Sequence, residues 1–495
     1  MLSSAPDSLS RPTRGETRAV TDLKQILDHK PDGGDASAPT SSGSLLADRL
    51  RALSLVTEAL GAMVRADCLA LAERSTCIDA FEREADGLMR ELLVEPSIIR
   101  LPARSYRALA AGARDCCANL LLAYRSCIGL AGYEDRGGKL NLRFLRAAGR
   151  FLKWQGLARG PAHPALWAWL GAALAQMRAD SGQGGAEPRM PETAWHSELT
   201  RMLAIAGSGY DRIPIRALPA LEVLRRRLLP QCELSMQPGG DWLLALPLDA
   251  SSAPMRQAAA ASDPGPRLYF SVRKALDSAS RCEAALAAGV TPDLLGFPGL
   301  ERDDLHRALS HLTKCWGTAG AARRSRRHGV DSDVYLVSGQ HAIHSALCDG
   351  LPQGIVRCRL VDISKHGARV LVAGHRGGRL EIGDLVAFRP SDGSAWHVGH
   401  IRRVWQEAED ELSLGIETLA AHAVRGYLDD GRSGCDVIVC GPLTRRSSVR
   451  LIAPSDWSGA CETLFLKANQ TVRKIRLDGR AALTDDAVLC VCNVL

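Results

Sequence analysis

Residues 355–372 read IVRCRLVDISKHGARVLV, two apolar-alternating runs separated by the hexapeptide Asp362-Ile363-Ser364-Lys365-His366-Gly367. Alternation of apolar and polar side chains with a period of two is typical of β-strands with one buried face. Glycine suits a turn between strands and also suits a place where another molecule approaches the backbone. The stretch therefore predicts two neighbouring strands, joined by a turn that presents Asp362, Ser364 and Gly367.

The same period of two continues on both sides of this stretch, with glycine and aspartate between the runs. The six predicted strands are Val334–Val337, Ile355–Ile363, Ala368–Val372, Leu385–Arg389, His397–Val404 and Leu412–Leu419. Six short strands at this spacing predict a closed antiparallel β-barrel.

The last part of the chain contains further strand-like segments, which either pack onto the barrel or form a second small β unit. These segments are Asp436–Val439, Val449–Ile452, Thr463–Lys467, Val472–Leu477 and Ala487–Cys492. We expect a small, β-rich C-terminal extension.

Upstream of the barrel, apolar residues recur at intervals of three and four from Leu45 onward, which predicts a series of amphipathic helices. Together with the strands this predicts a multidomain α+β protein whose N-terminal body is a helical bundle or solenoid. Within the connecting region, Cys232–Leu248 is predicted to form a β-hairpin. The predicted domains are a disordered segment (1–43), a helical domain (44–230), a mixed α/β connecting region (231–316), the barrel (317–422) and the extension (423–495).

Composition limits the class of protein. The chain has 495 residues, of which 46% are apolar, and a net charge of +7. This length predicts two to four domains. No apolar run approaches the roughly 18–20 residues of a transmembrane helix, and residues 1–7 do not resemble a signal peptide. We therefore expect a cytoplasmic protein without a transmembrane segment.

The sequence contains no recognisable set of catalytic or metal-binding residues, and we expect neither an enzyme nor a cofactor. Gly138-Lys139 lacks the remaining residues of a P-loop, and there is no nucleophile elbow or dinucleotide fingerprint. His341 and His344 have no evident third ligand for a metal.

The segment Arg323-Arg324-Ser325-Arg326-Arg327 places four guanidinium groups within five residues. These groups are always charged, so the segment is predicted to be a solvated loop; guanidinium groups bind phosphate bidentately and stack on bases. The Asp362 carboxylate can accept two hydrogen bonds from the edge of a guanine. The combination favours a guanine-nucleotide site without catalysis, although a run of charge is more often a solvated linker and Asp-x-Ser-x-x-Gly is more often a turn.

The order of the two motifs resembles the PilZ domain family, with Arg323-x-x-x-Arg327 followed by Asp362-x-Ser364-x-x-Gly367 between strands. The resemblance covers about Arg323 to Leu419. It implies a six-stranded β-barrel that binds cyclic di-GMP, a bacterial second messenger.

By this resemblance, Arg323 and Arg327 contact the phosphates and guanine faces, and Asp362 and Ser364 contact a guanine edge and a nearby phosphate. Gly367 would give the ligand clearance. Arg324 or Arg326 could take the place of either arginine, and the additional arginines would suit a ligand bound as a stacked dimer. The long segment Ser338–Gly354 departs from the family pattern and is predicted to be a lid or a surface loop.

Three hypotheses follow. The favoured one is a non-enzymatic cyclic di-GMP receptor in which the ligand orders the arginine segment, reorients the helical body and so regulates an unidentified protein partner. The second is a protein-interaction scaffold with a degenerate barrel that binds no nucleotide. The third is binding of a nucleic acid by a basic barrel. We do not expect a nucleic-acid polymer as a partner, because aromatic residues make up only 5% of the chain and none lies near the arginines.

Overall fold

The computed structural model describes residues 42–65, 70–94, 103–131, 139–160, 163, 165–181, 194–239, 241–248, 252–256, 266–317, 325–348, 354–373, 380–393, 395–408, 411–431, 433–457, 463–484 and 486–495. The predicted disorder of residues 1–43 lies outside this part of the chain, except for Ser42 and Gly43, which begin the first helix.

Amphipathic helices form the N-terminal half, as the apolar spacing predicts. Those described before the barrels are α1 (Ser42–Arg65), α2 (Leu71–Val94), α3 (Ala103–Ala131), α4 (Lys139–Leu157), α5 (Leu166–Ser181), α6 (Ala194–Gly207), α7 (Leu218–Leu228), α8 (Arg273–Ala287) and α9 (Arg302–Trp316). One continuous hydrophobic core runs from Leu53 in α1 to Trp316 in α9. We call everything that shares this core the helical body. None of its described helices is long and apolar enough to cross a membrane.

A small sheet inserted in the helical body corrects the predicted hairpin over Cys232–Leu248. Its strands are β1 (Glu233–Ser235), β2 (Leu244–Pro247), β3 (Met255–Arg256) and β4 (Arg267–Ser271), in the order β1-β4-β2-β3. β4 lies between the two strands that were expected to pair. The reason is burial: all four residues of β2 are buried, so β2 occupies an interior position with a neighbour on each side.

The predicted six-stranded antiparallel barrel is present, and we call it barrel 1. Its strands are β5 (His328–Ser338), β6 (Val356–Ser364), β7 (Gly367–Ala373), β8 (Leu385–Pro390), β9 (His397–Ala408) and β10 (Glu411–Ala420). They close in the order β10-β7-β6-β5-β8-β9. The interior contains Leu336, Val370, Phe388 and Leu414, which are the inward positions of the alternating pattern.

The C-terminal region is a second closed six-stranded barrel, which confirms the alternative of a second β unit and corrects the prediction of a small extension. The strands of this barrel 2 are β11 (Val424–Asp429), β12 (Gly434–Cys440), β13 (Ser448–Pro454), β14 (Thr463–Ala468), β15 (Thr471–Ala482) and β16 (Ala487–Val494). They close in the order β11-β12-β13-β16-β15-β14. When each barrel's strands are numbered from one to six, both have neighbours 1-2, 2-3, 3-6, 6-5, 5-4 and 4-1, so the two barrels share one topology.

The segment Ser338–Gly354 contains a short helix, α10 (Gln340–Ala346), that packs between the two barrels. Ile343 and Ala346 of this helix are buried in a hydrophobic cluster with residues of barrel 2, including Ile438 and Ile452. The described part of the segment is therefore a wedge at the barrel junction, and neither a lid nor an exposed loop.

A buried ionic network lies between α4 and α7 in the helical body. Glu222 of α7 accepts hydrogen bonds from Tyr210 and from Arg225, whose Nη2 lies 3.0 Å from its Oε2, and Lys153 of α4 lies 3.2 Å away. Burial alone would raise the pKa of Glu222, but Arg225 and Lys153 outweigh it and hold that pKa far below its usual value. The carboxylate therefore stays charged and joins α4 to α7.

Replacing Glu222 with glutamine should lower the free energy of unfolding by about 3–5 kcal/mol, because two buried cations would lose their counter-charge. Chemical denaturation of the full chain measures this effect. The matched control is Glu301→Gln, since Glu301 is exposed. Equal stability of the two variants would contradict the structural role of the network.

Candidate functional site

The predicted site lies where β5 begins, on the outer surface of barrel 1. Arg323 and Arg324 lie outside the described residues, so the structure places neither. Arg326 and Arg327 are exposed and directly precede β5. The arginine segment therefore leads directly into the first strand of the barrel.

Arg327 and Asp362 contact each other although they lie far apart in sequence. Arg327 Nη1 donates to Asp362 Oδ1 at 2.7 Å. The antiparallel register of β5 with β6 causes this contact, because Gly329 lies opposite Asp362 and His328 lies opposite Ile363. The structure thus brings the two halves of the predicted motif together at one point.

This ion pair is partly open to solvent, with side-chain exposures of 38% for Arg327 and 17% for Asp362. Exposed ion pairs contribute about 0–1 kcal/mol to stability. A hydrogen bond to a charged group contributes about 1.5–3 kcal/mol. A ligand that offers a phosphate to Arg327 and a donor edge to Asp362 can therefore replace the pair at low cost.

Ser364 and Gly367 flank the two-residue turn between β6 and β7. Ser364 Oγ donates to the Gly367 carbonyl oxygen at 3.2 Å. A Cβ at Gly367 would lie 2.5 Å from the carbonyl oxygen of Ile416 in β10. The absence of a side chain at Gly367 therefore allows β10 to approach the turn, which is a structural role in addition to any clearance for a ligand.

Sequence reasoning missed Arg369, which lies directly opposite Asp362 across β6 and β7. Its guanidinium donates to Ser413 Oγ at 3.0 Å and to Glu407 at 2.5 Å. A register shift between Leu360 and Asp362 sets this alignment. The alternating pattern of β7 could have identified Arg369, because Ala368 and Val370 face inward and the residue between them must therefore point outward.

A row of outward positions runs from the ion pair across barrel 1. The row is Asp362, Arg369, Gly415 and Arg403, on the consecutive strands β6, β7, β10 and β9. At its far end Arg403 forms an ion pair with Asp211 of the helical body.

The helical body contacts the same strand through its backbone and through a buried arginine. The backbone N–H of Gln406 donates to the carbonyl oxygen of Arg159 at 2.6 Å. The Arg159 side chain is only 1% exposed, and its Nη1 lies 2.8 Å from Glu381 Oε2 of barrel 1. The candidate site and the interface with the helical body thus lie on one continuous surface of the barrel.

A cavity of about 790 Å³ lies where the three units meet, apart from this site. Its lining includes Arg216 and Arg307 of the helical body, Ser338 and Glu381 of barrel 1, and Asp486 of barrel 2. Ser338 ends the strand that His328 begins, and at about 3.4 Å per residue the two ends lie roughly 34 Å apart. The cavity therefore does not belong to the Arg327–Asp362 site.

Barrel 2 lacks the motif despite its identical topology. Its turn between β12 and β13 reads Gly441-Pro-Leu-Thr-Arg-Arg-Ser447, without an Asp-x-Ser-x-x-Gly pattern. Within the part of the chain that the structure describes, no group of three His, Cys, Asp or Glu side chains is arranged to hold a metal ion. The candidate site is thus specific to barrel 1.

Substituting alanine for Gly367 should destabilise barrel 1 by about 1–3 kcal/mol, the usual cost of overpacking, because the new methyl group would collide with the backbone of β10. Thermal or chemical unfolding measures this change. Gly329→Ala is the matched control, since a Cβ there meets no atom within 4 Å. If both variants unfold like the parent, the close approach of β10 does not require a glycine at 367.

Comparison with known proteins adds no identification. A scan against protein-family models gives no match, and no curated protein matches the chain.

Proposed function

We propose that the protein is a non-enzymatic receptor for cyclic di-GMP and that barrel 1 binds the ligand. The observation that carries the proposal is the contact between Arg327 and Asp362 beside the Ser364–Gly367 turn. The contact supports the proposal because a guanidinium suited to phosphate lies next to a carboxylate suited to a guanine edge. The resemblance of both motifs to the PilZ family supports the same ligand.

Each group has a distinct task in the proposed complex. Arg327, assisted by Arg323 or Arg324 from the same segment, binds phosphate oxygens bidentately or stacks on a guanine. Asp362 accepts hydrogen bonds from guanine N1–H and N2–H2, and Ser364 donates to a neighbouring phosphate oxygen. Arg369 lies on the adjacent strand, where Glu407 and Ser413 hold its guanidinium. None of these tasks breaks a covalent bond, so the proposed function is recognition.

The proposed output uses the row of residues that leads from the site to the helical body. Binding would withdraw Arg327 and Asp362 from each other and reposition the arginine segment, which lies between α9 and β5. A change in the segment or along the row would then alter the contact between Arg403 and Asp211. The ligand can shift the arrangement only by as much as its affinity differs between the two states. The regulated partner is proposed to be a protein in the bacterial cytoplasm.

A specific observation also favours the second hypothesis, an interaction scaffold with a barrel that binds no nucleotide. Arg327 and Asp362 already satisfy each other, and barrel 2 forms the same topology without the motif. The barrel architecture therefore does not depend on a ligand.

Isothermal titration calorimetry of the full chain with cyclic di-GMP should give saturable heat. Arg327→Ala and Asp362→Ala should each weaken binding by about 1.5–3 kcal/mol, because each removes a charged hydrogen bond to the ligand. Asp333→Ala is the matched control, because Asp333 of β5 pairs with Arg357 of β6 at 2.5 Å on the same barrel. Absence of heat in folded protein would reject cyclic di-GMP as the ligand and leave the scaffold hypothesis.

Small-angle scattering should show a different profile with saturating ligand than without it, because the helical body is expected to move relative to the barrels. Arg403→Ala should bind the ligand normally but respond less, since it removes the ion pair with Asp211 at the end of the row. An unchanged profile in protein that binds the ligand would contradict the proposed coupling.

A further inference from the structure

Barrel 2 carries an exposed surface of cations and aromatic side chains on the outside of β11, β14 and β15. We call this surface the basic face. Its members form two rows across the three strands, Tyr427-Lys467-Val472 and Asp429-Phe465-Lys474. Arg425 and Arg476 continue the outward positions on β11 and β15. The register of the three strands therefore places these side chains next to one another on one surface.

The charge of the basic face is positive on balance, although Asp478 is exposed on β15 two residues after Arg476. Arg425, Lys467, Lys474 and Arg476 are all exposed, whereas Asp429 is the one acidic residue in the two rows. No ion pair joins Lys467, Lys474 or Arg476 to a carboxylate among the described residues. The Asp429 carboxylate is engaged locally, because its Oδ1 accepts a hydrogen bond from the Gly431 backbone at 2.7 Å. These three cations are thus available to an anionic partner, whereas Arg425 Nη1 donates to Cys348 Sγ at 3.0 Å.

Aromatic side chains are exposed within this positive surface. Tyr427 is 43% exposed, Phe465 is 47% exposed and Val472 is 60% exposed. Tyr427 lies opposite Lys467 while Phe465 lies two residues before Lys467, so the two aromatics are diagonal neighbours on adjacent strands. Such neighbours lie about 7–8 Å apart between Cα atoms. The Tyr427 side chain also lies against Gly434 of β12, where any side chain would collide with its hydroxyl group.

We propose that the basic face binds single-stranded nucleic acid. Cations that follow a phosphate backbone, combined with aromatic rings on which bases stack, are the two components of sequence-tolerant single-strand binding. The proposal goes beyond nucleotide recognition by barrel 1 and does not rest on it. It also departs from the expectation, drawn from the scarcity of aromatic residues, that no nucleic-acid polymer is bound.

Three features favour this ligand over other macromolecules. Lysine is depleted in the cores of protein–protein interfaces, yet two lysines lie at the centre of the face. A closed barrel has no free edge strand to which a peptide could add. A DNA duplex keeps its bases paired and stacked, so the rings of Tyr427 and Phe465 would find no free base face to stack on.

Fluorescence anisotropy of the full chain with a labelled 20-nucleotide oligothymidylate tests the proposal. Saturable binding should weaken with salt, and a contact set of about four phosphates gives a slope of log K against log salt near −3. Tyr427→Ala and Phe465→Ala should each weaken binding by roughly 5- to 150-fold, because each removes a stacking ring. Lys467→Gln and Lys474→Gln should each reduce the salt slope by about 0.7.

The controls distinguish binding through the basic face from a general effect of surface charge and from loss of folding. Lys274→Gln and Leu294→Ala remove an exposed cation and an exposed apolar side chain elsewhere, and both should bind like the parent. Phe465→Leu keeps an apolar side chain of similar size but has no ring, so it should bind as weakly as Phe465→Ala while retaining the parent melting temperature.

Four outcomes would overturn the proposal. They are absence of binding to the oligonucleotide, equal binding of polyglutamate, equal binding of a 20-base-pair duplex, and equal binding of vesicles that contain phosphatidylserine. The last three would assign the face to a different anionic partner, because none of those probes offers unpaired bases to the two rings.

Discussion

Each barrel depends on long-range strand pairing, above all the antiparallel pairing of its third strand with its sixth. In barrel 1 this is β7 with β10, which runs from Glu411 opposite Ala373 to Glu417 opposite Gly367 without a register shift. In barrel 2 it is β13 with β16, which is equally regular. This pairing joins strands that are distant in sequence. Together with the equally distant pairing of the first strand with the fourth, it closes the sheet into a barrel. The glycine at 367 is part of the same constraint, because β10 reaches the turn only where no side chain intervenes.

Local pattern predicts the strands of barrel 1 well, because each has one face in the interior and one outside. The alternation fails where a small residue takes an inward position. β11 is absent from the predicted strands, and Gly426 is its central inward residue. A Cβ there would lie 2.8 Å from Val439, so the packed interior requires glycine at this position. The glycine interrupts the alternation of apolar residues from which strands are predicted. Without β11 the C-terminal strands number five, and the second barrel is not apparent from the sequence.

The candidate site is predictable to the level of residue types and their order, but not to the level of their contacts. The motifs indicate that Arg327 and Asp362 belong to one site, which their 2.7 Å contact places at the start of β5. Which other side chains lie beside them depends on the register shift between Leu360 and Asp362. The strand order of the small sheet could not be predicted either, because β4, which lies between β1 and β2, follows both of them in the chain.

The helix α10 has a consequence for how the two barrels fold. Ile343 belongs to barrel 1 by sequence, yet it is buried against Ile438 and Ile452 on the outside of barrel 2. The two barrels therefore share this hydrophobic cluster, and separating them would expose it to water. The two barrels are therefore better regarded as one cooperative unit of twelve strands than as two independent domains. The segment between β5 and β6 thus serves as a structural joint between the two barrels.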